Sequence, residues 1–164
     1  MKTQALILIA AFALTGCFES KFDREKAETI LNNKLSNESI LQISFSDQGF
    51  EKAVAEGIVK SFMLDCQFTD KGIKLFNSLT DNRTIEDFGM MGINPHFKSK
   101  YRIGEKVKSI DGIADAGNGR KLVEFTTVYV FPASTSSEIF NYIYTGRKAQ
   151  AIFALYDDGW RIIQ

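Results

Sequence analysis

The spacing of apolar residues changes twice along this chain, and each change marks a different kind of segment. Ala5 to Leu14 is an unbroken apolar run. From Asp23 to Leu35, apolar residues return at three- and four-residue spacing (Ala27, Ile30, Leu31, Leu35), which predicts an amphipathic helix capped by Asp23. Asn37-Glu38-Ser39 breaks that pattern. Ile40 to Phe45 alternates and reads as a short strand, with Gly49 as its end. Phe50, Ala53, Val54, Ile58 and Phe62 suit one helical face, so a second helix is expected over Phe50–Leu64. Gly57 weakens it by about 1 kcal/mol relative to alanine. Thr69 caps a third helix that gathers Ile73, Phe76 and Leu79 on one side. Asp81 to Met91 is expected to be irregular, because Gly89, Gly92 and Pro95 oppose regular structure there.

The second half has the two-residue period of strands. Tyr101–Ile113 and Lys121–Phe131 are rich in β-branched and aromatic residues, and Ala116-Gly117-Asn118-Gly119 between them suits a hairpin turn. Pro132 ends the second of these strands. Ser136–Tyr144 reads as a short helix or loop. Lys148–Tyr156 alternates again, Asp157-Asp158-Gly159 supplies a tight turn, and Trp160–Ile163 completes a last hairpin. Helices first and an antiparallel sheet afterwards is an α+β pattern. No internal repeat or low-complexity stretch interrupts it. The closing hairpin, Ala151 to Ile162 around Asp157-Asp158-Gly159, resembles that of small NTF2-like and cystatin-like domains. The resemblance implies N-terminal helices packed on a curved antiparallel sheet of about four strands.

The amino end has a separate logic. Met1-Lys2-Thr3-Gln4 precedes the apolar run, and a positive start followed by about 7–15 apolar residues is a secretory signal. A bilayer-spanning helix takes roughly 20 residues, so this run is too short for a permanent anchor. Leu14-Thr15-Gly16-Cys17 follows it and resembles a lipobox, the processing motif of bacterial lipoproteins. That resemblance implies cleavage of residues 1–16 and diacylglycerol on the Cys17 thiol, with N-acylation as well in Gram-negative bacteria. One acyl chain binds a membrane only marginally, whereas two or three hold stably. Residues 17–22 then form a short lipidated tether, and 23–164 a single globular domain. Phe18 stands where an aspartate would favour inner-membrane retention in enteric bacteria, so the periplasmic face of the outer membrane is the expected location.

Composition narrows the remaining choices. Acidic and basic residues balance at 20 each. No basic stripe of the kind that binds nucleic acid runs along the chain. With Cys17 lipidated, Cys66 has no intrachain disulfide partner, and its apolar setting reads as a small buried hydrophobe. An intermolecular bridge or a reactive thiol is the other reading of Cys66. Fourteen phenylalanines and five tyrosines imply an aromatic core or, as the rival reading, an aromatic-lined ligand pocket.

Catalytic and metal motifs are missing from the sequence. His96 is the only histidine, and next to Pro95 it reads as a surface or capping residue in a loop. No nucleophile elbow or phosphate loop is present. Asp111 to Gly119 has the look of a calcium loop, but Ile113 occupies a ligand slot and turn chemistry explains the glycines better. Asp157-Asp158 reads as a solvated turn. No cofactor, metal or catalytic residue is therefore expected. The expectation is a non-enzymatic, membrane-anchored interaction module: an immunity protein, an envelope-complex subunit or an exclusion factor. The alternative is a lipoprotein that binds a small ligand in an aromatic-lined pocket.

Overall fold

Asp23 is placed to start a helix, and it does. In the computed structural model, which describes residues 21–62, 65–88 and 93–164, its side chain accepts the Lys26 N–H at 3.0 Å and α1 runs over Arg24–Leu35. Strand β1 (Ser39–Ser44) follows, as its alternation predicts.

The next segment departs from expectation. Helix α2 spans Asp47–Ala55, so Gly49 lies inside a helix and does not end the strand before it. Ser46 is the reason: its hydroxyl accepts the Gly49 N–H at 3.1 Å and nucleates the helix three residues early. The helix expected to reach Leu64 stops at Ala55, because Gly57 takes φ +67°, a left-handed conformation that closes helices. Val59–Phe62 is then free to form β2, which pairs with β3 (Asp65–Phe68) in a separate two-stranded ribbon. Thr69 caps α3 (Asp70–Phe76) as predicted.

Part of Asp81–Met91 is also regular: β4 covers Glu86–Phe88, while residues 89–91 lie outside the described residues. Pro95 likewise does not exclude a strand. It belongs to β5 (Ile93–Asp115), standing just beyond the last β1 pair, Ser44 with His96, so its missing N–H costs no ladder bond there. Its carbonyl accepts the Phe45 N–H at 2.8 Å. The hairpin from β5 to β6 (Arg120–Val130) turns where expected, with Asn118 at φ 53°. A 3₁₀ helix over Ser137–Asn141 fills the next stretch. Strands β7 (Gly146–Tyr156) and β8 (Gly159–Ile162) close the chain around Asp157-Asp158.

The class is α+β. The main sheet is antiparallel in the order β1-β5-β6-β7-β8, with β4 paired to β5 beside this path. Among the described residues it holds more strands than the expected four, and strands separate the three α-helices, which do not all precede the sheet.

Two hydrophobic clusters share β5. The first gathers Phe45, Phe68, Phe76 and Phe97, with Phe68 and Phe76 centroids 4.9 Å apart. The second joins Ala27 and Leu31 of α1 to Val107, Ile110, Val123, Phe125, Ala151 and Phe153. A straight strand of 23 residues would extend roughly 75 Å at ~3.3 Å per residue. A domain of this size has a radius of gyration of about 15 Å. The strand must therefore bend, and its register with β1 and β6 slips at three places.

Each slip leaves backbone groups without ladder partners, and a side chain supplies one. Between Ile40 and Gln42, the Leu41 N–H donates to the buried Ser99 hydroxyl at 2.9 Å. At Val107/Ser109, the Val107 N–H donates to Asn32 Oδ1 on α1 at 2.8 Å. At Ile110/Gly112, the Ile110 carbonyl accepts from Arg24, also on α1. The helix is thus stitched to the strand at the points where the strand bends. Removing the Asn32 acceptor should leave the Val107 amide unsatisfied, at a cost of about 1–3 kcal/mol. Urea unfolding of Asn32→Ala is expected to show that loss, with exposed Asn33→Ala within about 0.5 kcal/mol of wild type. Equal effects at both positions would contradict the stitch.

Candidate functional site

Strand alternation divides the sheet into two faces. Register places Glu105, Val107 and Ile110 of β5, Val123, Phe125, Thr127 and Tyr129 of β6, and Arg147, Ala149, Ala151 and Phe153 of β7 on the face that carries α1. Most of these residues are apolar. Glu105, Thr127 and Arg147 interrupt the row between the two hydrophobic clusters.

The three form one unit. Arg147 grips the Glu105 carboxylate with Nε to Oε1 at 2.9 Å and Nη2 to Oε2 at 3.2 Å, and the buried Thr127 hydroxyl also donates to Oε1. The Glu105 side chain is 11% exposed and that of Arg147 60%, so the carboxylate lies under its partner. Burial pushes the Glu105 carboxyl up, but the hydrogen bonds from Arg147 and Thr127, with the Arg147 charge, outweigh it and hold it below its usual value. Burial and the Glu105 charge push the Tyr129 phenol up.

A groove of about 580 Å³ runs along the same stretch of β6 and β7. It is lined by Ser44, Lys108, Thr126–Tyr129 and Tyr144–Lys148. By register, Thr126, Val128, Gly146 and Lys148 turn their side-chain positions away from α1. Gly146 lets the β7 backbone approach β6 closely: a Cβ there would lie 1.9 Å from the Thr127 carbonyl oxygen. One wall is the segment before β7. The Tyr144 N–H donates to the Ser44 carbonyl at 3.0 Å, and the Tyr129 N–H to the Thr145 carbonyl at 2.8 Å. The lining contains three cations, Lys108, Arg147 and Lys148, and no carboxylate.

The residues singled out in the sequence lie elsewhere. Cys17 and the rest of Leu14-Thr15-Gly16-Cys17 lie outside the described residues. Cys66 is buried at 2% exposure on β3, within the first cluster. His96 is not a surface loop residue: it is 6% exposed in β5, its Nε2 2.9 Å from Glu86 Oε2 on β4. The proline before it suggested a loop, but pairing with both β1 and β4 holds it in the sheet. Asp111 accepts from Ser109 and Thr126 at 2.7 Å each, and Asp115 accepts the Gly117 N–H at 2.7 Å. These are strand and turn contacts, and among the described residues no group of three His, Cys, Asp or Glu side chains gathers to hold a metal. Asp158 pairs with Arg161 beside the last turn.

The phenylalanines mostly pack on one another, as in the Phe45, Phe68, Phe76 and Phe97 group, while the aromatic residues of the groove are Tyr129 and Tyr144. Sequence reading missed the Glu105–Thr127–Arg147 unit. A signal existed: Thr127 is the polar residue in the inward row Val123, Phe125, Thr127, Tyr129. Comparisons with models of protein families, with curated proteins and with solved structures find no match for this chain.

The ion pair makes a pH-dependent contribution of definite sign. A carboxyl whose folded value is lowered contributes stability that is complete above the unfolded value near 4.5 and is lost as the pH falls through the lower folded value. Glu105→Gln should therefore be less stable than wild type at pH 7 by about 1–2 kcal/mol, and the gap should narrow as the pH drops below 4.5. Urea midpoints at pH 7 and pH 3 measure this, and a gap that did not change with pH would refute it.

Proposed function

We propose that this chain is a lipid-anchored protein of the bacterial envelope that acts by binding rather than by catalysis. The observation that carries the reading is the amino end: Lys2, a ten-residue apolar run and Leu14-Thr15-Gly16-Cys17, in the order a lipoprotein signal requires. Among the described residues, no helix is long and apolar enough to cross a membrane. Phe18 after the cysteine favours the periplasmic face of the outer membrane.

The described start of the domain fits a short tether. Phe22 packs on Phe153 and Trp160, with centroids 4.9 and 4.5 Å away. Five residues from Cys17 to this docking point reach at most ~17 Å. The lipid end of the domain is then the β7–β8 end. The groove lies toward the other end of β7: Arg147 is six residues, or roughly 20 Å, from Phe153. A domain held this way leaves its groove open to a partner or ligand. The way α1 lies across β5, β6 and β7 supports reading the fold as NTF2-like or cystatin-like.

Two kinds of partner suit such a module. A protein partner in the envelope would make it an immunity protein, a complex subunit or an exclusion factor. The groove, with cations and two tyrosines brought together, favours the second reading, a small ligand; the tyrosines and not the phenylalanines supply its aromatic surface.

Cys17→Ser in the full chain tests the anchor. The variant should retain residues 1–16 and carry no acyl groups, as intact-mass measurement would show. Wild type is expected as a diacylated or triacylated chain that begins at Cys17 and is released from envelopes by detergent but not by salt. A Cys17→Ser chain that matured and fractionated as wild type does would end the proposal.

A further inference from the structure

The chain as a whole is balanced, with 20 acidic and 20 basic residues, but the groove on β6 and β7 is not. Of its three lining cations, Arg147 turns the Nε–Nη2 edge of its guanidinium to Glu105 and shares that carboxylate's charge. Lys108 and Lys148 form no salt bridge among the described residues, although Lys148 feels the charge of Asp111 nearby. Asp111 itself accepts from Thr126 and Ser109, one bond on each oxygen. Two lysines with no salt bridge among the described residues line one concavity.

The rest of the groove is suited to an apolar body. Gly146 has no side chain and Val128 stands opposite it in register. Tyr144 is 41% exposed at the wall. A volume of about 580 Å³ is within the range of roughly 300–1,000 Å³ typical of small-molecule sites. An uncharged ligand would leave the lysines unused, and a bare inorganic ion would leave Tyr144 and Val128 unused.

We infer that this groove binds a small amphiphilic anion, with a phosphate or carboxylate head against Lys108 and Lys148 and an apolar body against Tyr144 and Val128. The inference deepens the ligand-binding reading above, but it rests on groove geometry and not on the lipid anchor. The same head chemistry occurs on free organic acids and phosphates and on the headgroups of anionic lipids.

Phenyl phosphate is a suitable probe, followed by saturation-transfer NMR with the full chain in phosphatidylcholine nanodiscs. Phenyl phosphate should bind, and its neutral counterpart phenyl glucoside should bind at least tenfold more weakly. Lys108→Ala with Lys148→Ala should raise the Kd at least tenfold, and Tyr144→Ala severalfold. Arg120→Ala, a cation at the hairpin end of β6, should leave it unchanged. Circular dichroism checks folding, and Lys108→Gln with Lys148→Gln gives a second, gentler charge removal. Equal binding of the neutral probe, or binding untouched in folded lysine variants, would overturn the inference. Nanodiscs containing phosphatidylglycerol distinguish the sources: displacement of phenyl phosphate assigns a lipid headgroup, and retained binding assigns a soluble anion. Loss of probe binding with normal Cys17 processing rejects the groove alone, while abnormal fractionation with intact binding rejects the anchor alone.

Discussion

The need to bend β5 governs much of this structure. Its 23 residues contribute Phe97 and Ile103 to one hydrophobic cluster and Val107 and Ile110 to the other. Both clusters can form in a small domain only if the strand changes direction between them. Bulges supply the change, and each interrupts the backbone ladder. An amide or carbonyl left unpaired at such a point would cost about as much as a lost buried hydrogen bond. Ser99, Asn32 and Arg24 meet that cost with side chains. Two of those three come from α1, so the helix that covers the second cluster also fixes the bend it covers.

The polar unit on the inner face belongs to the same geometry. Glu105 and Thr127 lie where the sheet passes from one cluster to the other, between Ile103 and Val107 on β5 and between Phe125 and Tyr129 on β6. A charged group there is tolerable because Arg147 and Thr127 satisfy it and because Arg147 reaches solvent. β7 approaches β6 closely at Gly146, and the groove beside it is lined by Thr127, Tyr129 and Arg147 as well as by Thr126, Val128 and Lys148. Ion pair and groove therefore share one stretch of sheet, with Arg147 common to both.

Local chemistry was legible where it acts within a few residues. Asp23 and Thr69 cap the helices they were expected to cap, and the residues around Asn118 turn the β5–β6 hairpin. The helix face of α1, the alternation of β6 and the last hairpin were readable for the same reason. Errors came where two local signals compete. Phe50, Ala53 and Val54 suit a helix and Ile58 continues the spacing, but the positive φ of Gly57 divides the segment. Pro95 looked like a strand breaker, and only its place at the end of the β1 ladder makes it harmless.

By itself the sequence determined the export and lipidation expectation at Cys17, the α+β class, the burial of Cys66 and the bounds of α1, β1, β6 and the last hairpin to within about two residues, because each depends on composition, periodicity or a short motif. Tertiary structure decided the rest. His96 moved from a loop to a buried strand position because β1 and β4 both pair with it. Glu105, Thr127 and Arg147 span 43 positions in the chain, and no local pattern links them. The sheet register alone sets them side by side, and the same register collects Lys108, Tyr144 and Lys148 around the groove.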